Sequence, residues 1–314
     1  NSNNRPASLR ISRLFLADYS LIRAKDRLDE AKRLLELPLV TRNAKIQDIQ
    51  KKLYNLSIFC TQIGDARPIS FCRFSPNSSI LATASWSGIC KLWNIPDCTL
   101  IRELKKFDIN ASSIVFHPKA TLVPDEELLC SLASSAFDGS VRLWNLKSDE
   151  PVANIDGHVP YRVSRLEFHP SGRFLGTCCF DNSWRLWDLE QFTEVLHQEG
   201  HCKPVFCISF QIDGSVCATG GLDSFGRVWD LRTGRCIMFM EGHLKAIYGI
   251  DFNSNGYQIA TASDDDTCKI WDLRKNSILY TIPAHTNVVT DVKYQRDGGH
   301  FLVTSSHDTC KIWD

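Results

Sequence analysis

At 314 residues the chain is long enough for one large domain plus an appendage, and its 36 Lys/Arg against 36 Asp/Glu leave a formal net charge of zero. It holds no run of eighteen apolar residues and no charged-then-apolar start with a small-residue cleavage site, so neither a membrane span nor a signal peptide is expected. The balance hides a division: residues 1–56 hold twelve basic against six acidic side chains, and the remainder holds 24 against 30.

In chain order, residues 1–7 are polar and expected to be disordered. Residues 8–55 read as a helical arm. Leu9, Leu14, Phe15 and Ala17 predict one short helix; Ser20 is placed to cap a second that carries Leu21, Ala24, Leu28, Ala31 and Leu35, and Pro38 ends it. Thr41 is placed to cap a third helix, whose Ile46, Ile49, Leu53 and Leu56 recur at three and four residues. Such stripes must be buried, either against the rest of the domain or by another protein. The arm's basic residues Arg10, Arg13, Arg23, Lys25, Arg27, Lys32 and Arg33 are its candidate partner contacts, although charge on an outer helix face is usually only solvated. Leu56 to Ile63 reads as a strand that supplies the outer edge of the last structural unit.

The rest of the chain, residues 56–314, is periodic. Trp93, Trp144, Trp187, Trp229, Trp271 and Trp313 lie 51, 43, 42, 42 and 42 residues apart, which is the signature of a repeat architecture. The unit is clearest from Gly200-His201 to the next Gly242-His243, with apolar runs at Pro204 to Phe210, Ser215 to Gly220 and Gly226 to Asp230. Four short apolar runs per period, opened by Gly-His and closed by Trp-Asp, predict one four-stranded blade of an all-β propeller. Nine extra residues in the second repeat fall at Lys119 to Glu127, where Pro and charge predict a solvent loop.

Ten residues before each tryptophan stand Thr83, Ser134, Thr177, Thr219, Thr261 and Val303; six before it stand Ser87, Asp138, Asp181, Asp223, Asp265 and His307. Repeats three to five alone carry the full set, with His158, His201 and His243 ahead of the aspartates. A buried imidazole or carboxylate without a partner costs roughly 1–3 kcal/mol or more, so these groups are expected to travel as structural His–Thr–Asp–Trp networks and not as catalytic or metal sites. On this reading the sets are His158, Thr177, Asp181 and Trp187; His201, Thr219, Asp223 and Trp229; and His243, Thr261, Asp265 and Trp271. The first repeat lacks both Gly-His and aspartate, and the sixth is eroded.

The thirteen cysteines show no C-x-x-C pair and no metal spacing; Cys90, Cys268 and Cys310 share one position in their repeats, and all are expected to be small buried hydrophobes in a reducing compartment. No phosphate loop, H-E-x-x-H or G-x-S-x-G is present, so no enzyme activity, cofactor, metal or small-molecule substrate is expected.

Four stretches are unusual for generic repeats of this kind: Ser8 to Leu21 ahead of a propeller, Trp86-Ser87-Gly88 before Cys90 to Trp93, Ser183 to Trp187, and Gly221 to Phe239. Together they resemble the pre-mRNA-processing factor 4 family, the WD-repeat subunits of the spliceosomal U4/U6 small nuclear ribonucleoprotein (snRNP), over about residues 8–314. The resemblance implies a WD-repeat propeller with seven blades in the family against six repeats here, and a non-catalytic nuclear scaffold of the tri-snRNP. It implies protein partners that include another pre-mRNA-processing factor and a spliceosomal cyclophilin, the latter through a segment not contained here. Because the propeller is net acidic and shows no aromatic-plus-basic stacking motif, with Trp86 and Trp184 expected to be packed, small nuclear RNA is expected to be held mainly indirectly. A second reading rests on Trp229-Asp230-Leu231-Arg232 and Trp271-Asp272-Leu273-Arg274, tandem motifs that resemble those of cullin–RING ubiquitin-ligase substrate receptors, in which Arg232 and Arg274 would contact the adaptor.

Overall fold

The computed structural model describes residues 7–123, 127–296, 298–307 and 309–314. Two helices, α1 (Ala7–Glu36) and α2 (Leu39–Tyr54), precede six antiparallel sheets. Five sheets have four strands and the sixth has three among the described residues. Each sheet is one blade, its strands ordered from first to fourth as they occur in the chain, and the fourth blade is typical: Val205–Phe210, Val216–Gly221, Gly226–Asp230 and Arg235–Met240.

Burial follows from a sheet sandwiched between two neighbours. The second strands of the third and fourth blades, Phe174–Cys179 and Val216–Gly221, are buried at every residue, whereas the fourth strand Arg235–Met240 is largely exposed. A strand covered on both faces gains from apolar side chains at every position but must stay thin where blades meet. Gly176 shows the limit, because a Cβ there would stand 2.8 Å from Ile208 Cδ1 and from Phe210 Cζ of the next blade. The inner strands line a channel of about 890 Å³ whose charges pair across it, Arg73 with Glu167 at 2.6 Å and Lys293 with Asp251 at 3.0 Å.

Several sequence expectations need correction here. The arm forms two helices, not three: Ser20 does not cap but donates its hydroxyl to the Ala17 carbonyl at 3.2 Å, which lets α1 run on. Pro38, not Thr41, stands at the N-cap of α2, and its fixed φ of −52° suits that place. Residues 57–65 carry no strand, and Leu56, Ile58, Phe59 and Ile63 are exposed. A strand needs a second edge to take its amides and carbonyls; this segment forms no ladder with Cys310–Trp313 and is instead tied to the first blade by Gln62 Nε2 donating to the Cys98 carbonyl at 2.9 Å. Cys90 and Cys268 are buried as expected, but Cys310 is exposed, since its blade has no fourth strand among the described residues to cover it; Cys60, Cys72, Cys202 and Cys236 are exposed too. Of the second-repeat insertion, residues 124–126 lie outside the described residues, and Ala120 is buried. Residues 1–6, expected to be disordered, also lie outside, and Ala7 already opens α1.

Only α1 docks. Ser12, Leu16 and Ser20, four residues apart and therefore on one helix face, are buried against the third and fourth blades, where Leu16 joins the cluster of Phe174, Phe210, Trp229 and Leu231. Helix α2 buries no residue. Its stripe of Ile46, Ile49 and Leu53 is at most half-buried.

Candidate functional site

The polar sets expected from the repeat are present inside the blades. In the fourth blade His201 Nδ1 meets Asp223 at 3.0 Å and Nε2 meets Thr219 Oγ1 at 3.0 Å, while Trp229 Nε1 donates to the same hydroxyl at 2.9 Å. The fifth repeats this, with His243 to Asp265 at 2.9 Å, His243 to Thr261 at 2.7 Å and Trp271 to Thr261 at 2.9 Å. Burial works against ionisation of Asp265, yet hydrogen bonds from Thr267, His243 and the Leu244 amide outweigh it and hold the carboxyl at about 2. In the third blade His158 reaches Thr177 at 2.6 Å and Trp187 reaches Thr177 at 3.0 Å, but His158 Nδ1 stays 3.8 Å from Asp181. Asp181 turns instead to Ser183 and to Arg185 at 3.0 Å.

His158, Cys179 and Asp181 place their potential ligand atoms within 4.8 Å of one another, the one such group among the described residues. Arg185 already balances the carboxylate, and burial pushes the Cys179 thiol up to about 12, so the sulfur stays protonated. Replacing Asp223 with Ala strands the His201 imidazole and the amides of Cys202 and Phe225, which it accepts at 3.1 and 3.2 Å. The expected loss is about 2–3 kcal/mol in urea titration. Recovery of all partners should fall together, and loss of one partner at unchanged stability would make Asp223 a contact residue.

The first and sixth repeats, read as incomplete, carry substitute networks. In the first, Asp65 occupies the histidine place and Ser87 the aspartate place; Ser87 donates to Asp65, and Trp93 still reaches Thr83 at 3.0 Å. In the sixth the hydroxyl is Thr304, not Val303: Trp313 donates to it at 2.9 Å, and His285 joins it to Thr309, each at 2.9 Å. His307 is exposed and takes no part. A hairpin shorter by one residue moved the hydroxyl to nine places before the tryptophan.

A second repeating contact links blades and was not anticipated. In the second to fifth blades the residue after the first strand reaches the turn glycine of the next blade: His169 Nε2 to the Gly214 carbonyl at 2.9 Å, Gln211 to Gly256 at 2.5 Å and Asn253 to Gly299 at 3.0 Å, with His117 facing Gly172 in the same way. Gly214 has φ +79°, and a Cβ there would strike His169 Nε2 at 2.4 Å. The sequence signal, a polar residue behind Phe116, Phe168, Phe210 and Phe252, is visible only once the partner turn is known.

The candidate contact residues divide. Arg27 is a latch: it pairs with Asp213 at 2.7 Å and donates to the Asn255 carbonyl at 2.7 Å. Arg23 donates to the Ile212 carbonyl at 3.3 Å, and Arg13 lies against the Gly234 turn. Lys32 and Arg33 pair within the helix with Asp29 and Glu30. Arg10 and Lys25 are exposed. Arg232 and Arg274 are each taken by their own aspartate, Asp230 at 3.1 Å and Asp272 at 2.9 Å, and Arg274 also covers Tyr257 at 3.5 Å.

On the opposite face, formed by the second-to-third-strand turns and the blade-to-blade connections, two expectations fail. Trp184 is packed, but Trp86 is 45% exposed. An aromatic-plus-basic arrangement also exists: Arg162 lies 3.7 Å from the Phe137 ring centre and 4.8 Å from that of Phe180, and Arg165 lies 4.4 Å from Phe71 and 5.1 Å from Phe206. Its members come from different blades, which is why no linear motif announced it.

Comparison with known proteins agrees with this geometry. Over 174 residues, 55% of this chain and 33% of the relative, the sequence is 60% identical to the "U4/U6 small nuclear ribonucleoprotein Prp4" of Mus musculus. It is 42% identical over 140 residues to the "U4/U6 small nuclear ribonucleoprotein PRP4-like protein" of Arabidopsis thaliana, covering 44% of this chain and 24% of that protein. Against the "U4/U6 small nuclear ribonucleoprotein PRP4" of Saccharomyces cerevisiae it is 34% identical over 183 residues, 54% of this chain and 36% of the relative. The matches thus span about a third of the length of the mouse and yeast proteins. The WD domain, G-beta repeat family matches residues 58–94, 99–145, 149–188, 192–230, 234–272 and 276–314. Six matched segments, each ending at or just past a tryptophan that donates to a buried hydroxyl, place this chain in the WD domain, G-beta repeat family.

Proposed function

We propose that the chain is a non-catalytic scaffold of the U4/U6 snRNP and tri-snRNP in the nucleus, holding other snRNP proteins and through them the paired small nuclear RNAs. What carries the reading is its 60% identity to relatives named as U4/U6 snRNP proteins. The disposition of the reactive groups supports it: the buried histidines and aspartates of the fourth and fifth blades are spent on one another, and in the third Asp181 is taken by Ser183 and Arg185. The other pre-mRNA-processing factor is the partner sought first, with cyclophilin binding assigned to a segment outside this chain. In the arm, Arg10, Lys25, Lys32 and Arg33 are the side chains open to a partner, whereas Arg13, Arg23 and Arg27 serve docking of α1. The substrate-receptor alternative is weakened, because Arg232 and Arg274 already have carboxylate partners.

Tagged protein in nuclear extract is expected to recover the U4/U6 RNA pair and snRNP proteins, with the proteins surviving nuclease. Any direct hold of the basic arm on phosphate should fade as salt rises, by counterion release. Proteins that vanish together with the RNA would make the arm the primary binding element, and recovery of a cullin adaptor without spliceosomal RNA would sink the scaffold reading.

A further inference from the structure

One face of the propeller carries a contiguous aromatic and apolar strip across the first three blades. Its continuity is set by backbone contacts: a Cβ on Gly88, two residues past Trp86, would stand 2.7 Å from the Ile109 carbonyl; the Phe137 amide donates to the Asn110 carbonyl at 3.0 Å; a Cβ on Gly139 would meet the Tyr161 carbonyl at 2.6 Å; and the Phe180 amide donates to the Arg162 carbonyl at 2.9 Å. Along this strip Trp86 is 45% exposed, Ile109 47%, Val159 54% and Tyr161 54%. In the middle stands Arg162, its guanidinium between the rings of Phe137 and Phe180.

Arg162 has no carboxylate. Among the described residues its guanidinium forms no hydrogen bond or ion pair, and its Nε is buried without an acceptor. The acids nearby are spent elsewhere, Asp138 on Ser140 and Asp181 on Ser183 and Arg185. Burial, helped by nearby Arg165, pulls Arg162 down to about 10, the direction expected of a cation that has lost water and gained no counter-charge. A guanidinium whose faces are covered by rings still offers its edge, and that edge matches the planar pair of oxygens of a carboxylate.

We propose that this strip docks an extended peptide segment of a partner protein, with an Asp or Glu of that segment received edge-on by Arg162 and its apolar neighbours laid on Tyr161, Val159, Ile109 and Trp86. The proposal rests on the scaffold reading and deepens it by naming the chemistry of one partner. Single-stranded nucleic acid fits less well. Arg162 already takes a face of both phenylalanines, so bases cannot stack there freely, and a phosphate backbone needs a row of cations, whereas Phe137 and Phe180 are each followed by an aspartate, Asp138 and Asp181. A carboxylate flanked by apolar side chains is what one desolvated cation in an apolar strip complements.

The test uses the purified chain, a phage-displayed library of random twelve-residue peptides, and a labelled twelve-residue oligouridine as the nucleic-acid probe. Enriched peptides are expected to share an Asp or Glu beside an apolar residue. A fluorescent synthetic copy should bind R162Q roughly tenfold to a hundredfold more weakly, the range for a hydrogen bond to a charged group. Changing the peptide acid to its amide should cost a similar factor, and the two changes together little more than either alone, since they remove one interaction. R162K should recover part of the loss through charge without the fork. Should R162Q fail to melt like the parent, Tyr161→Ala, at a half-exposed ring, is expected to weaken the same peptide. No enrichment, enriched peptides without an acid, additive losses, or oligouridine binding that R162Q abolishes would each overturn the proposal. The outcome is separable from the scaffold reading: failure of the parent chain to recover snRNP components sinks that reading, whereas unchanged peptide affinity in R162Q sinks only this site.

Discussion

Replacing Trp184 with Ala is expected to destabilise the protein by about 3–5 kcal/mol, the range for removing a buried aromatic side chain. Trp184 is 1% exposed and meets Trp229 of the next blade edge to face, 5.9 Å between ring centres. It belongs to the cluster that also holds Phe174, Phe210 and Leu16 of α1, so the void opens in the apolar layer between the third and fourth blades. Its indole nitrogen has no acceptor among the described residues, and Trp184→Phe, which deletes that donor, should cost clearly less. Urea titration of both variants decides the matter. A loss below about 1 kcal/mol for the alanine variant would mean that the blades close over the space, contrary to the close packing argued here.

Acid should weaken the protein through His169. Burial holds this imidazole at about 4 against an ordinary 6.5, with nearby Arg23 adding to the depression and the Gly214 carbonyl opposing it. Its Nε2 hydrogen goes to that carbonyl, while Nδ1 accepts the Ser171 amide at 3.2 Å, so the folded site is built for the neutral ring. Between about pH 6.5 and 4 the unfolded chain binds a proton that the folded chain refuses. Stability contributed by the neutral ring is therefore intact above that window, falls as pH drops through it and levels off below it, by a total on the order of 3 kcal/mol. His169→Gln copies what Gln211 does one blade later and keeps the link to the next turn. The pH sensitivity of this variant, measured by urea titration at pH values near 7 and 4.5, should be smaller than the parent's by most of that amount. Equal acid sensitivity in the two proteins would show that His169 is not the group that titrates.

The sequence by itself determined the repeat, the strands within its blades and the polar networks of the fourth and fifth blades, with the third lacking its His158–Asp181 link. The reason is local. Thr219 and Trp229 sit on adjacent strands of one hairpin, and with strand register fixed by the length of the turn that joins them, ten places along the chain is one short distance in space. The same logic misread the sixth blade, because it counts residues and the chain counts strand pairs: Thr304 pairs with Lys311 across a hairpin one residue shorter, and the network follows the pairing. In the first blade donor and acceptor had exchanged places between Asp65 and Ser87, which preserves the hydrogen bond while erasing the motif.

Tertiary structure alone decided everything that joins one blade to another. Whether Ser20 would cap a helix or lie inside it depended on the propeller surface that buries Ser12, Leu16 and Ser20 together. Arg27 looked like a surface charge until packing of the fourth blade on the fifth brought Asp213 and the Asn255 carbonyl to it. Residues 56–63 had the composition of a strand and lacked a ladder partner, which no local pattern can supply. Phe137, Arg162 and Phe180 come from the turns and connections of two blades, 25 and 18 residues apart, and their stacking is set by how the blades pack. Contacts within a hairpin are written in spacing because one register fixes them; contacts between blades depend on rigid sheets meeting face to face, and that geometry exists only after the sheets have formed.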